Sequence, residues 1–234
     1  MSEVIQKPSL LKKIISYLVP IKMESVESKV SGRLEVFLNQ GRYSLCTAHA
    51  MYSFEDLYHN FLNSFKKISL DRIGIKNVLV LGVGLCSVPL ILEKKFLKKY
   101  KYAAVDIDAE VIKLAKKYAT PKLESEIEFF CEDAFEFVKK RSKYYDLIIV
   151  DLFIDDLVPE QFEQEEFMEH LKQISSKKAL IMYNRITSTE AAIDKTNLFF
   201  EHIFKKVFKE AIMLDLGTNK MFLSTGAYLK SNIQ

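Results

Sequence analysis

The sequence predicts an α/β protein built on a doubly wound, mostly parallel sheet of seven strands. From residue 76 onward, apolar β-rich runs alternate with helical patterns. This alternation is typical of parallel strands joined by helices that cover both faces of a sheet. A glycine-containing turn, "GVG", follows the first of these strands. The chain finishes with two apolar runs around Gly217-Thr218-Asn219, which predict a C-terminal antiparallel hairpin.

The elements of this sheet follow one another along the chain. Helical patterns separate the first five strands and precede the hairpin. Ser87 followed by Pro89 suits the first turn of the helix after the first strand. Asp108 is the predicted N-cap of the helix after the second strand. The seven predicted strands are "NVLVLGV", "YAAVDID", "IEFFCEDA", "DLIIVDLF", "KALIMYNR", "KEAIMLDL" and "KMFLSTG".

The residues before the sheet are predicted to form a small β-unit and a helix. A short amphipathic helix is expected over Leu10–Leu18. The stretch "SGRLEVFLNQGRYSLC" alternates apolar and polar residues on both sides of Asn39-Gln40-Gly41, which predicts a β-hairpin. The stretch "SFEDLYHNFLNSFKKI" has helical spacing, and Ser53 is its predicted N-cap.

Length and composition indicate one sizeable globular domain with a small appendage. We divide the chain into 1–66 and 67–234. The net charge of +3 is too small to argue for nucleic acid or an anionic membrane as a partner. The cysteines lack the spacing of a disulfide framework or a zinc site, and no metal is expected. Neither a cleavable signal nor a run of membrane-spanning length is recognisable, so we expect a cytoplasmic protein.

The glycine turn predicts where a ligand binds. In an open parallel sheet, ligands bind beyond the carboxyl ends of the strands, where the strand order reverses. Gly82 and Gly84 let the backbone approach a ligand without an intervening Cβ. A dinucleotide site would need a third glycine at the place of Ser87, and a methyltransferase loop prefers one at the place of Cys86. The sequence has no glycine at either place, so it lacks the third glycine of both motifs.

Three acidic residues follow three successive predicted strands after this turn. Asp106 ends the second strand, near the spacing at which an acid receives two ribose hydroxyls. Asp133 ends the third strand, where a carboxylate can accept a hydrogen bond from an adenine amino group, and Asp151 ends the fourth. Each acid alone could be a helix cap or lie in a solvated turn. Together they predict a bound adenosine.

Four segments resemble the spermidine synthase family and its methyltransferase-like relatives: "NVLVLGVG", "AAVDIDAEVIKLAKKY", "EFFCEDAFEFV" and "YYDLIIVDLF". The resemblance covers roughly residues 25 to 225. It implies a Rossmann-like methyltransferase fold in the larger domain, with a small N-terminal β-hairpin unit in front. It also implies S-adenosylmethionine or its decarboxylated form as the cofactor, and a homodimer.

The resemblance assigns roles to individual positions. Asp106-Ile107 matches the site that binds the ribose hydroxyls, and Asp133-Ala134 matches the pair that contacts adenine. Asp151 matches the first aspartate of the catalytic loop, which in aminopropyltransferases helps to deprotonate the attacking amine. Tyr52 matches a tyrosine that borders the substrate pocket.

Two positions depart from the aminopropyltransferase pattern. Leu85 stands where a GGGDG-like loop has an aspartate that faces the amine of decarboxylated S-adenosylmethionine. Ile154 stands in place of the second aspartate of a DSSDP-like loop, although Asp155 or Asp156 can substitute with a shift of one or two positions. Complete S-adenosylmethionine carries a carboxylate that favours backbone N–H groups and needs no aspartate in the loop.

Three functional hypotheses follow from these residues. The first, which the sequence favours, is an S-adenosylmethionine-dependent methyltransferase on an unidentified small molecule such as an amine. In it, Asp151 or Asp155 acts as base or cation binder, and Asp156 helps to hold the substrate. The second is an aminopropyltransferase that makes a polyamine. The third is a non-catalytic protein that binds a nucleoside or a partner. Asn184 is interpreted as a turn residue, and the histidines as structural.

Overall fold

The computed structural model describes residues 8–48, 50–140, 142–154 and 157–231. Its strands carry the numbers β1 to β11 in chain order. They are β1 (Ile21–Ser28), β2 (Gly32–Asn39), β3 (Arg42–Cys46), β4 (Met51–Ser53), β5 (Asn77–Leu81), β6 (Lys101–Asp106), β7 (Glu126–Cys131), β8 (Tyr145–Val150), β9 (Ser175–Ile186), β10 (Ile212–Asp215) and β11 (Asn219–Leu223).

The α-helices of the described residues carry the numbers α1 to α8. A π-helical turn at Phe200–Phe204 joins the last two of them. None of these helices has the length and apolar character needed to cross a membrane. They are α1 (Leu10–Ile15), α2 (His59–Lys67), α3 (Ser87–Phe96), α4 (Ala109–Tyr118), α5 (Ala134–Lys140), α6 (Glu165–Gln173), α7 (Glu190–Phe199) and α8 (Lys205–Val207).

The described residues pack into two compact units. The first unit contains the residues up to Tyr58 together with Val83–Lys99 and Asp108–Ser125. The second unit contains His59–Gly82, Tyr100–Ile107 and the residues from Glu126 onward. Helices α3 and α4 are therefore counted with the first unit and the strands that flank them with the second. The predicted domain boundary at residue 66 stays a prediction.

The second unit contains the predicted seven-stranded sheet. Its strand order is β10-β11-β9-β8-β5-β6-β7. Strands β9, β8, β5, β6 and β7 run parallel, whereas β11 is antiparallel to β9 and β10 is antiparallel to β11. This arrangement confirms the predicted doubly wound sheet and its C-terminal hairpin. After β5 the chain builds β6 and β7 on one side and then β8 on the other, so the strand order reverses between β5 and β8.

The central strands are apolar on both faces because both faces of the sheet are covered. In β5, Val78, Leu79, Val80 and Leu81 are all buried. Strand β8 is buried without interruption from Leu147 to Val150. Continuous apolar strands of this kind are typical of parallel sheets covered on both sides. Their burial places the polar residues that follow them at the carboxyl edge of the sheet.

The first unit contains a four-stranded antiparallel sheet in the order β1-β2-β3-β4. The predicted hairpin is confirmed: Asn39 pairs with Arg42 across a two-residue turn at Gln40 and Gly41. Both turn residues have positive φ angles, 50° and 72°, as the tight turns favoured in β-hairpins require. Strand β1 was not predicted. It is half-exposed and rich in Ser and Glu, and its pairing with β2 decides its conformation.

Two N-terminal boundaries differ from the predictions. Helix α1 ends at Ile15 instead of Leu18. The helix expected from Ser53 onward begins only at His59, after a 3-10 turn at Glu55–Leu57. The prediction of Ser53 as an N-cap is therefore wrong. Ser53 is the last residue of β4, and its hydroxyl oxygen accepts a hydrogen bond from another part of the first unit.

Candidate active site

The carboxyl ends of four parallel strands meet at the point where the strand order reverses. In the spatial order β8-β5-β6-β7, the polar residues at or just after the strand ends are Asp151, Gly82, Asp106 and Asp133. The register places Leu81, the last residue of β5, between Val150 and Val105. The second unit therefore brings together the three carboxylates that the sequence predicts to follow the strands. This edge of the sheet is the candidate active site.

Gly82 is required by the fold of the second unit itself. Its N–H donates to the carbonyl oxygen of Val105 at 2.9 Å, and the N–H of Asp151 donates to the carbonyl oxygen of Leu81 at 2.8 Å. Its φ angle is +88°, and a Cβ at this position would lie 2.1 Å from the carbonyl oxygen of Asp151. The sequence predicts that this glycine lets a ligand approach the backbone. The structure adds that the Asp151 backbone already occupies the space of a Cβ.

The rest of the glycine turn belongs to the first unit and keeps a glycine-like backbone. Gly84 has a φ angle of +50°, and a Cβ there would lie 2.8 Å from the Cβ of Ser53. Cys86 also adopts the left-handed conformation, with a φ angle of 54°. A non-glycine residue in this conformation carries local strain of about 1 kcal/mol or more. Cys86 thus adopts the left-handed conformation that glycine favours, although the third glycine is absent.

Two hydrogen bonds hold this turn to the end of β4. The N–H of Leu85 donates to Oγ of Ser53 at 2.9 Å. In the opposite direction, the N–H of Phe54 donates to Oγ of Ser87 at 3.1 Å. Tyr52 is half-buried next to this contact, since its carbonyl oxygen would lie 3.2 Å from a Cβ on Gly84. The first unit thus places Tyr52 beside the glycine turn.

The side chain of Leu85 is fully buried. The aminopropyltransferase loop has an aspartate at this position. A buried leucine offers no charged group to an amine, so any recognition of an amine on the cofactor has to come from another residue.

Asp133 caps a helix with one carboxylate oxygen. Its Oδ1 accepts from the N–H groups of Phe135 and Glu136 at 2.9 and 3.1 Å, in the first turn of α5. Its Oδ2 accepts from Nε2 of Gln161 at 2.9 Å. The helix-cap interpretation therefore applies to Asp133, and it also fixes the position of the carboxylate at the strand edge. Ala134 is the buried first residue of α5.

Asp106 and Ile107 lie at the neighbouring strand end. Asp106 is the last residue of β6 and is half-buried, and its carbonyl oxygen accepts from the N–H of Glu132. Ile107 follows it with 52% of its surface exposed. An exposed apolar side chain beside a carboxylate suits the flat face and the hydroxyl edge of a nucleoside.

Asp151 is hydrogen-bonded to a buried amide. Its Oδ1 accepts from Nδ2 of Asn184 at 2.8 Å, and Oδ1 of Asn184 accepts from Nδ2 of Asn219 at 3.1 Å. Asn184 lies within β9 and is 1% exposed, so its interpretation as a turn residue is wrong. The sequence placed Asn219 only in the turn of the C-terminal hairpin and did not predict it as a site residue. The hairpin pattern could have indicated it, because Asn219 is the residue at which β11 begins.

The loop after Asp151 is described only in part. Asp155 and Asp156, the predicted substrate residues, lie outside the described residues, as does His49. Ile154 is 49% exposed and exchanges backbone hydrogen bonds with Leu157 at 2.9 and 3.1 Å. Ile154, which stands at the position of the second loop aspartate, therefore forms a β-bridge with Leu157.

A family model described as "Spermine/spermidine synthase domain" matches residues 55–225, which include every strand of the seven-stranded sheet. The chain belongs to this family. The sequence resemblance to spermidine synthases is thereby confirmed.

Individual relatives agree with this membership. The polyamine aminopropyltransferase of Saccharolobus solfataricus is 31% identical over 165 residues, which cover 67% of this chain and 53% of that protein. The chain spans about half the length of the curated relatives it matches.

Solved structures confirm the Rossmann-like methyltransferase fold. A probable spermidine synthase from Corynebacterium glutamicum superposes with a TM-score of 0.71 at 16% identity, over 90% of this chain and 83% of that one. Human methyltransferase-like protein 13, solved in complex with S-adenosylhomocysteine, gives a TM-score of 0.57 at 17% identity, over 80% and 86% of the two chains.

Proposed function

We propose that this protein is an aminopropyltransferase that uses decarboxylated S-adenosylmethionine and an amine acceptor. The observation that carries the proposal is the position of Asp151, which follows β8 where the strand order reverses. Asp151 also lies inside the region that the family model matches. The relative named polyamine aminopropyltransferase supports it over the methyltransferase that the sequence alone favoured.

The residues at the strand edge suit an adenosyl group. Asp106 is the proposed acceptor for the ribose hydroxyls, with Ile107 against the nucleoside. Asp133 and Ala134 are proposed to meet the adenine, because a carboxylate can accept from an exocyclic amino group. The α5 cap holds the Asp133 carboxylate in place before any ligand arrives. The backbone at Gly82 and Gly84 is proposed to contact the adenosyl donor.

Asp151 is the proposed catalytic residue. The adenosyl donor supplies a sulfonium whose carbon–sulfur bond breaks, with the electron pair going to sulfur. The acceptor nitrogen forms the new carbon–nitrogen bond and must lose a proton. A carboxylate beside this nitrogen can first bind the cationic amine and then take its proton. Tyr52, and Asp155 and Asp156 in the following loop, are proposed to border the acceptor.

Methyl transfer is the second candidate because of two positions. Leu85 and Ile154 are apolar, so neither supplies the carboxylate that aminopropyltransferases have at these positions. Leu85 is fully buried and Ile154 is half-exposed. Complete S-adenosylmethionine does not need the first of these carboxylates. Leu85→Asp is a poor test of the choice, because an unpaired carboxylate in a fully buried position costs several kcal/mol.

The choice of donor is tested with the unmodified chain. Purified protein is titrated calorimetrically with S-adenosylmethionine and with its decarboxylated form, and each donor is then incubated with a short diamine. We expect tighter binding of the decarboxylated donor and release of 5′-methylthioadenosine. Release of S-adenosylhomocysteine with the complete donor would support methyl transfer instead. Binding of neither donor would contradict both candidates and support the non-catalytic hypothesis.

The homodimer and the cytoplasmic location are proposals that come from the resemblance and the composition. Light scattering of the purified chain tests the first: a mass of twice 27.1 kDa is expected. Fractionation of cells that express the chain tests the second.

A further inference from the structure

A chain of side-chain hydrogen bonds connects the C-terminal hairpin to Asp151. The hydroxyl of Thr218 donates to Oδ1 of Asn219 at 3.3 Å. Nδ2 of Asn219 donates to Oδ1 of Asn184 at 3.1 Å, and Nδ2 of Asn184 donates to Oδ1 of Asp151 at 2.8 Å. All four residues belong to the second unit. These hydrogen bonds cross three neighbouring elements, from β11 over β9 to the residue after β8.

The strand registers bring these residues together. Asn184 pairs with Met221 and Ile186 pairs with Asn219, so the two asparagines are diagonal neighbours across β9 and β11. Side chains in diagonal positions on one face of an antiparallel pair can reach each other. On the other side, Tyr183 pairs with Val150, which places Asn184 beside Asp151.

The direction of the hydrogen bonds is dictated by the ionised carboxylate. A carboxylate only accepts, so Asn184 must present its NH2 group to Asp151 and its carbonyl oxygen to Asn219. Asn219 must therefore present its own NH2 group. A group that only accepts at position 219 would break this order, whereas an alanine would merely remove the last donor.

The sheet has no need of amides at these two positions. Asn184 is 1% exposed and Asn219 is 6% exposed, and Met221, which pairs with Asn184, is a fully buried apolar residue. Burying an amide is unfavourable unless its hydrogen bonds are made, and an apolar residue would avoid that cost. The benefit of the pair therefore lies in what it does to Asp151.

We infer that Asn184 and Asn219 are positioning residues, which hold the carboxylate plane of Asp151 in the orientation that meets the acceptor amine. This inference rests on the proposed catalytic role of Asp151. Asn184 holds one oxygen of the carboxylate, and Asn219 prevents the Asn184 amide from rotating. The geometry at the reacting nitrogen is thereby set before the substrate binds, as efficient proton transfer requires.

Kinetics of single variants test the inference. We expect Asn184→Ala and Asn219→Ala to lower kcat by about 10- to 100-fold while the Kd of the adenosyl donor stays within about twofold. Asn219→Asp should lower kcat at least as much as Asn219→Ala, because a carboxylate cannot donate to Oδ1 of Asn184. Asn197→Ala is the matched control, since the side chain of Asn197 accepts from Lys220. This control should retain full kcat.

A double substitution separates positioning from a merely structural role. In an Asp151→Asn background there is no carboxylate to orient, so Asn219→Ala should change the residual rate by less than about twofold. If Asn219→Ala costs the same factor with and without Asp151, the positioning role is wrong. The same holds if the variants change only the Kd of the donor and leave kcat unaltered.

Urea unfolding provides a readout that does not depend on activity. Asp151→Asn and Asn219→Ala should be coupled, so that the double variant loses less of its urea midpoint than the sum of the single losses. In an Asn184→Ala background this coupling should vanish, because Asn184 carries it. If the unmodified chain transfers no group from either donor, the proposed function fails. The unfolding experiment still decides the hydrogen-bond chain, and additive losses in both backgrounds would overturn it.

Discussion

Strand β8 has an aspartate near each end, and the two aspartates have different surroundings. Asp146, at the amino end, accepts from the backbone N–H groups of Lys76 and Asn77 at 2.9 and 3.0 Å and from the Ser176 hydroxyl at 2.7 Å. Asp151, just past the carboxyl end, accepts from a buried side-chain amide. Both residues are partly exposed.

The donors explain the difference in role. Backbone N–H groups must be satisfied in any fold, and Asp146 satisfies two of them where β5 begins. Its position is explained by the fold alone. The amides that lead to Asp151 are not backbone groups, and we propose that they serve the site. At the two ends of β8, the source of the hydrogen-bond donors therefore separates two residues of the same type.

The largest expected effect separates the two aspartates by activity. Asp151→Asn should lower kcat by about 10²- to 10⁴-fold, because it removes the proposed base, and should lower the melting temperature less than Asp146→Asn does. Steady-state kinetics and thermal unfolding measure the two quantities. Asp146→Asn is the control and should show the opposite pattern. An Asp151→Asn variant with normal kcat would remove Asp151 from the mechanism.

Gly82→Ala tests the backbone that holds Asp151. The positive φ angle and the contact at 2.1 Å with the Asp151 carbonyl oxygen together should lower the free energy of unfolding by about 4 kcal/mol. Gly74→Ala is the control, because its φ angle is +74° and nothing lies within 4 Å of its Cβ position. That variant should lose only about 1–2 kcal/mol. Equal losses in urea unfolding would show that the collision with Asp151 is unimportant.

Asp146→Ala tests the structural end of the strand. It leaves two N–H groups and a hydroxyl without their acceptor, which should lower the free energy of unfolding by about 2 kcal/mol. The rate per folded molecule should not change. Urea unfolding and active-site titration give the two values. A lower kcat per folded molecule would connect the amino end of β8 to catalysis and would contradict the structural role of Asp146.

The smallest effect is a pH dependence at the same end. Burial acts to raise the pKa of Asp146, but the hydrogen bonds from Asn77, Ser176 and Lys76 outweigh it and bring this pKa below its ordinary value of 3.8. The ionised group therefore stabilises the fold above the unfolded-state value, and this contribution is lost as the pH falls through the lower folded-state value.

The stability difference between the unmodified chain and Asp146→Asn should accordingly be constant above about pH 5 and shrink at pH values below about 4. Urea midpoints at a series of pH values measure it. A difference that grows towards acid pH would mean that the pKa of Asp146 is raised in the folded protein.

Much of the fold could be predicted because its signals are local. The alternation of apolar and polar residues predicted the β2–β3 hairpin, and the continuous apolar runs predicted β5 and β8. Strand β1 could not be predicted, because its Ser- and Glu-rich sequence becomes a strand only by pairing with β2. Ser53 was misassigned since the partner of its hydroxyl, the N–H of Leu85, is 32 residues away.

The sequence by itself determined that acidic residues follow parallel strands after a glycine turn, because strand periodicity and turn chemistry depend on neighbouring residues. These signals predicted the edge of the sheet at which we propose that a nucleoside binds, and the resemblance of four segments predicted the family. Only the tertiary structure decided that Gly82 is required by the Asp151 backbone, and that Asn184 and Asn219 lead to Asp151. These relations depend on strand order and register, which bring together residues that are far apart in the chain.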